Sequence, residues 1–207
     1  MLKFLYFDLG NVLLHFDHER ACRGMGAVAG LPAARVREVL YQSGLAWRYE
    51  LGELTDRQVI DIFSRETGTR GDEKQLLAAA GDIFDVNESI VPLVVSLKRA
   101  GHRMGILSNT CSAHWDHCAY GRYEFISQSF DVHALSFRIK AAKPDLRIYQ
   151  AAGELAGVEP KEIFFVDDLD QNVAGARQAG FDAVLYTTTA DLIAELRRRG
   201  VAGAEAE

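Results

Sequence analysis

The sequence predicts an α/β protein built on a parallel sheet, with a separate helical unit inserted after the first strand. Three observations lead there. From Ser89 onward, short apolar runs alternate with segments of helical periodicity, which implies consecutive β-α-β units. From about Asp17 to Asp85 the patterns are helical and no convincing strand occurs. The opening run Leu2-Lys3-Phe4-Leu5-Tyr6-Phe7 is short, apolar and aromatic, as a strand buried on both faces must be, and it stops at Asp8.

Within the inserted unit, Pro32 precedes Ala-Ala-Arg-Val-Arg-Glu-Val-Leu and suits the first turn of a helix. Thr55 stands as a cap before Asp-Arg-Gln-Val-Ile-Asp-Ile-Phe, a helix that Gly68 and Gly71 end. Asp72 to Phe84 reads as a further helix with Leu76, Leu77, Ala80 and Phe84 on one face. Beyond Ser89 the expected order is a helix at 90–100, a strand at 103–107, a helix at 112–120 and a short strand at 126–129. A helix at 146–156, a strand at 163–166, a helix at 171–179, a strand at 183–186 and a helix at 190–199 follow, and the residues from Gly200 are expected to fray.

At 207 residues and 48% hydrophobic, the chain can bury a sizeable core, which excludes general disorder. The net charge of -6 argues against nucleic acid or an anionic membrane as partner. Cys22, Cys111 and Cys118 are odd in number and contain no CxxC pair, so a disulfide framework or zinc knuckle is not indicated. With no apolar run near the ~18 residues of a membrane span and no export segment ahead of the first strand, a cytoplasmic location is expected.

Open α/β sheets bind ligands outside the carboxyl ends of their strands, where Asp8 falls; the competing reading is an aspartate that caps a turn. Met104 to Leu107 runs into Ser108-Asn109-Thr110, and the Ser108 and Asn109 side chains, with the backbone N–H groups of the following helix, suit either a phosphate or a routine turn and helix cap. Lys143 precedes Pro144-Asp145 at a helix start and would serve a phosphate or an ionised carboxylate, unless it is simply exposed. Ile163 to Val166 ends in Asp167-Asp168. Adjacent buried acids repel unless a cation holds them, and Mg²⁺ favours hard oxygen ligands.

In order, Asp8, Ser108, Lys143 and Asp167-Asp168 resemble the four motifs of the haloacid dehalogenase-like superfamily, over nearly the whole chain. The inserted helices are similar to the cap of a branch that includes bacterial sugar-phosphate phosphatases and the N-terminal phosphatase domain of soluble epoxide hydrolases. The resemblance implies a Rossmann-like three-layer core at 1–16 and 89–200, an α-helical cap at 17–88 and a frayed tail at 201–207. It implies an Mg²⁺-dependent phosphatase of a small phosphorylated metabolite, a sugar phosphate foremost, active as a monomer or homodimer. Asp8 would be the nucleophile and Lys143 its counter-charge. Ser108 and Asn109, with Gly10 and Asn11 of the first motif, would hold the phosphoryl group. The metal would lie between Asp8, the Gly10 carbonyl and Asp168, with Asp167 in the outer shell.

One departure stands out. Phosphatases that this chain resembles carry a second Asp where Gly10 stands, and glycine can neither protonate a leaving group nor activate water. His15, Asp17 and His18 near the cap junction are the candidates to replace it, with solvated hinge residues as the competing reading, while Glu50 and Glu53 in the cap either face the site and contact substrate hydroxyls or belong to a helix end with a glycine cap. A silent binding protein is the alternative that Gly10 suggests. Carbon-halogen cleavage is disfavoured by Asp167-Asp168, and phosphonate cleavage would need Lys74 as a Schiff base. A zinc site at His114, His117 and Cys118 lacks a further ligand. The glycines from Gly24 to Gly30 follow no strand and are no dinucleotide fingerprint.

Overall fold

The computed structural model describes residues 1–120 and 122–204. Its chain runs β1 (Phe4–Phe7), β2 (Leu14–Phe16), α1 (His18–Ala29), α2 (Ala33–Arg37) continuing as a π-helical turn (Glu38–Gln42), α3 (Leu45–Glu50), α4 (Asp56–Thr67), α5 (Glu73–Gly81) and β3 (Phe84–Val86). It continues through α6 (Val91–Arg99), β4 (Met104–Ser108), α7 (Ser112–Ala119), α8 (Glu124–Ser129), β5 (Val132–Leu135), α9 (Ser136–Ile139) and α10 (Leu146–Ala156). A 3₁₀ turn (Pro160–Glu162), β6 (Ile163–Asp167), α11 (Asp170–Gln178), β7 (Asp182–Leu185) and α12 (Thr189–Arg198) complete it. Among the described residues no helix is long and apolar enough to cross a membrane.

The fold is α/β. Five parallel strands lie in the order β5-β4-β1-β6-β7, so the apolar first strand is central. Successive β1 side chains face opposite ways: Leu5 and Phe7 enter one core with Leu93, Leu97 and Trp115, while Phe4 and Tyr6 enter the other with Ile148 and Val173. Burying Tyr6 in that second core is tolerable because its hydroxyl donates to the Ala152 carbonyl at 2.9 Å. The order of strands reverses at β1, which puts the crevice of the sheet beside Asp8.

Helices α1 to α5 lie between β2 and β3, which pair antiparallel with Leu14 opposite Val86 and Phe16 opposite Phe84. These helices share a core of their own, including Met25, Val36, Phe63 and Leu76, to which Cys111 and Ala113 at the start of α7 also belong. Two fastenings hold α3 against the sheet side. Tyr49 Oη donates to Asp56 Oδ1 at 2.7 Å and accepts from the Ala113 N–H at 3.2 Å. The fully buried Ser136 hydroxyl accepts from the Thr110 N–H (2.9 Å) and lies 2.6 Å from the Glu50 carbonyl and 2.9 Å from that of Thr110, to one of which it donates at a time.

Several expectations need correction. Residues 126–129 form the end of α8, because Ile126 and Phe130 are buried four residues apart, and the strand follows at Val132–Leu135. The helix expected through Phe84 ends at Gly81, where a Cβ would lie 2.6 Å from the Ala113 carbonyl, and Phe84 instead begins β3. β2 and β3 are only three residues long, with exposed His15 and Asp85 opposite each other, too brief to leave a period in the sequence. The tail expected to fray does not do so over 201–204: Val201 and Ala204 are buried in the main core and the Ala204 carbonyl accepts from Arg197 Nε at 2.9 Å. The remainder of that expected tail, residues 205–207, lies outside the described residues.

Gly52 follows α3 with φ +65°, and a Cβ there would sit 2.0 Å from the backbone carbonyl of Phe137. Gly44, also left-handed at φ +78°, has nothing within 4 Å of such a Cβ. Gly44→Ala should therefore cost only the left-handed backbone penalty of about 1–2 kcal/mol. Gly52→Ala should cost more, because no rotamer relieves a clash with backbone; urea midpoints of the two variants check the order.

Candidate active site

Three adjacent strands deliver the polar groups to one edge of the sheet. Asp8 follows β1, Ser108 ends β4 and Asp167 ends β6, while Lys143 enters from the loop between α9 and α10. Lys143 Nζ lies 2.8 Å from Asp8 Oδ1, 2.6 Å from Asp167 Oδ2 and 3.0 Å from the Leu107 carbonyl, so its three protons are all engaged. Its side chain is 1% exposed, which makes this a buried charge tolerated only because it is fully paired.

The surroundings fix each member. Asn109 clasps the Lys143 backbone from both sides, donating to its carbonyl at 3.0 Å and accepting from its N–H at 2.7 Å. Asp167 Oδ1 accepts from the Leu169 N–H (2.9 Å) and from Asn172 Nδ2 (3.0 Å), while Oδ2 accepts from Lys143 (2.6 Å) and from the same Asn172 amide (3.2 Å). Asp8 Oδ1 accepts from the Leu9 N–H at 2.7 Å as well as from Lys143, whereas its Oδ2 takes part in no hydrogen bond among the described residues. Asn11 holds φ +54°, a conformation that Asn tolerates, and its side-chain amide donates to Asp168 Oδ2 at 3.0 Å.

Charge is unevenly matched here. Burial pushes the Asp8 carboxyl up to about 7, Lys143 opposes this, and Asp167 and Asp168 add to it. Lys143 itself is lowered by burial, but Asp8 and Asp167 outweigh that and hold it above its ordinary value. The two directions pull apart over how ionised Asp8 is; the geometry favours a charged lysine shared by more carboxylate than it can neutralise. Asp8, Asp167 and Asp168 each offer an oxygen within 4.8 Å of the others, the sole such group of three or more His, Cys, Asp or Glu among the described residues. All-oxygen donors with surplus negative charge fit a hard divalent cation such as Mg²⁺.

A cavity of about 250 Å³ opens above these groups. Of the residues proposed from sequence, Asp8, Gly10, Asn11, Ser108, Asn109, Lys143 and Asp168 line it, and Asp167 lies buried just behind. His18, Glu50 and His114 reach it as well. His15 is exposed on β2, Asp17 caps α1 and pairs with Arg23, Glu53 is exposed beside Arg48, and Lys74 is exposed on α5. His117 faces Asp82, and Cys118 belongs to the core, so these two form no metal site with His114. Gly24 to Gly30 lie in and just after α1.

Sequence reasoning missed Phe16, Thr110, Ser136 and Asn172. Phe16 lines the cavity, and its ring stands 3.0 Å from where a Cβ on Gly10 would project. Asn172 follows Asp167 by five residues across a strand-to-helix turn, a spacing that could have marked it as a support for that acid.

A family model described as haloacid dehalogenase-like hydrolase matches residues 3–180. A Mycobacterium tuberculosis protein named as a phosphatase is 29% identical over 199 residues, covering 86% of this chain and 84% of its own. The D-ribitol-5-phosphate phosphatase of Bacteroides thetaiotaomicron is 26% identical over 209 residues, covering 95% of this chain and 97% of its own. A crystal structure of a HAD family enzyme from Bacteroides thetaiotaomicron with magnesium and inorganic phosphate superimposes with a TM-score of 0.78 at 28% identity, covering 90% of this chain and 95% of that one.

The Asp8 carboxyl, at about 7 folded against an ordinary 3.8, takes up a proton on folding without metal. That contribution is fully present below pH 3.8 and is lost as pH rises through 7. In EDTA, stability should fall between about pH 5 and 7.5 more steeply than in Asp8→Asn, and Mg²⁺ should restore it at the upper end. Thermal midpoints across that range measure it.

Proposed function

The chain belongs to the haloacid dehalogenase-like hydrolases, and from that membership we propose that it is an Mg²⁺-dependent phosphomonoesterase working through an aspartyl-phosphate on Asp8. The observation that carries the proposal is the Lys143 ammonium held between Asp8 and Asp167 with Asp168 beside them. A lone binding function would not need to bury a cation among three acids.

In this reading Asp8 Oδ2, the oxygen without a hydrogen bond, attacks phosphorus while Oδ1 stays fixed by Lys143 and the Leu9 N–H. The ester P–O bond breaks and the alkoxide leaves, taking its proton from solvent water; a second water then attacks phosphorus, the bond from phosphorus to Asp8 Oδ2 breaks, and phosphate and the carboxylate are released as that water gives its proton back to solvent. Ser108, whose hydroxyl makes only a 3.4 Å contact to the Asn109 carbonyl, is available to the phosphoryl oxygens. Mg²⁺, held by Asp8, the Gly10 carbonyl and Asp168, would offset phosphoryl charge as the transition state forms. Lys143 and Asn172 hold Asp167 in place behind that group.

The helices between β2 and β3 act as a cap that contributes Glu50 and His18 to the cavity and limits access of water. Residue 10 offers no acid to the leaving alcohol, and the ring of Phe16 covers the space such a side chain would use. The enzyme therefore suits esters whose alcohol departs readily, among which anomeric sugar phosphates are the small-metabolite example. The phosphatase names and the magnesium and phosphate of the similar proteins support the reaction class.

Phosphate release from a panel of esters should depend on Mg²⁺, stop in EDTA and resume when Mg²⁺ is returned. Asp8→Asn should lower kcat more than about a thousandfold without unfolding the protein. Anomeric and aryl phosphates should exceed simple alkyl phosphates by at least about tenfold in kcat/KM, since the missing acid is worth roughly 10²–10⁴. Turnover that ignores metal, or survives Asp8→Asn, would overturn the assignment.

A further inference from the structure

The cavity is also lined by polar groups that the phosphoryl chemistry does not use. Thr110 is 2% exposed, and its hydroxyl has no hydrogen-bond partner among the described residues. The buried Nδ1 of His18 is likewise without a partner. Buried polar atoms are nearly always satisfied, and both residues line the cavity, so a ligand is the natural partner. Glu50 lines it too, and its carboxyl enters no side-chain hydrogen bond or ion pair among the described residues.

These groups are set in place by structure. Ser136 holds the Thr110 backbone and the Glu50 carbonyl through one hydroxyl, so the two residues are fixed relative to each other across the boundary between the sheet and the helical unit. His18 is fixed between aromatic rings, 4.9 Å from Phe16 and 4.7 Å from Tyr41. Phe16 and Phe84 form apolar cavity walls beside them.

We propose that Thr110, His18 and Glu50 form a hydroxyl-binding subsite for the alcohol portion of the ester, selecting neutral polyhydroxy monophosphates over monophosphates that carry a second anionic group. The inference rests on the phosphatase reading and specifies its substrate class. A hydroxyl and a neutral imidazole each donate and accept, as a polyol requires. Burial lowers the proton affinity of His18, which suits it to hydrogen bonding as a neutral imidazole, and raises that of Glu50 to about 7, which lets its carboxyl accept and, when protonated, also donate. A second anion would find no counter-charge: Lys143 is the one Lys or Arg among the described lining residues, and its protons are committed.

The test compares kcat/KM for an alditol or sugar monophosphate, a phosphorylated hydroxy acid of similar length, and phenyl phosphate, in wild type, Thr110→Val and Glu50→Lys. Thr110→Val keeps the backbone bond to Ser136 and removes only the hydroxyl. Expected is a fall of at least about tenfold in the ratio of polyol to phenyl phosphate for Thr110→Val, carried mostly by KM. Glu50→Lys should shift preference toward the acidic ester. Ratios that neither variant changes, or a wild type that takes the acidic ester as well as the polyol, would overturn the subsite while leaving the phosphatase standing. No phosphate release from any ester, phenyl phosphate included, would contradict the phosphatase itself and this inference with it.

Discussion

One buried ammonium organises this molecule. Lys143 Nζ touches Asp8 beyond β1, the Leu107 carbonyl of β4 and Asp167 at the end of β6, and so ties together the carboxyl ends of the three central strands. Each of these charges alone would cost several kcal/mol to bury, and removing the lysine would leave two acids unpaired in the interior. The pairing remains incomplete, because Asp168 stands beside the cluster with only the Asn11 amide upon it among the described residues. That surplus of carboxylate fits a hard divalent cation, as the proposed phosphoryl transfer requires.

The same edge of the sheet explains why the helical unit matters. The chain leaves the core through β2 and returns through β3, so Phe16 and Phe84 at their paired ends become cavity walls. Ser136 and the close approach of Gly52 to Phe137 fasten the segment bearing Glu50 to the sheet side. Gly10 belongs to this arrangement. With no side chain there, the Phe16 ring stands 3.0 Å from where a Cβ would project, and under the proposed function the help that an acid at residue 10 would give passes to the choice of leaving group.

Much of this was legible in the sequence because it follows from local rules. An apolar strand that ends in Asp8 or in Asp167-Asp168 announces both its burial and its exceptional terminus, and Thr55 forms the capping box its spacing implies. What stayed hidden depends on contacts between distant segments. Ser136 looks like any loop serine until its hydroxyl meets Thr110 and Glu50, twenty-six and eighty-six residues away. Asn109 was expected at the phosphoryl group, yet its side chain clasps the Lys143 backbone thirty-four residues on. The three-residue strands β2 and β3 and the packed tail at Val201 and Ala204 are likewise tertiary outcomes, too short to carry a period of their own.

Asp8, held by Lys143, is the nucleophile that accepts the phosphoryl group in the proposed reaction. The most direct measurement is rapid acid quenching of the enzyme during turnover of a phosphate ester, followed by borohydride reduction and peptide mass analysis. An aspartyl-phosphate at Asp8 would be reduced to homoserine at that position, in the presence of Mg²⁺ and substrate and not without them. Phosphate released at the normal rate with Asp8 unmodified at every quench time, or reduction mapping to a different carboxylate, would contradict the account.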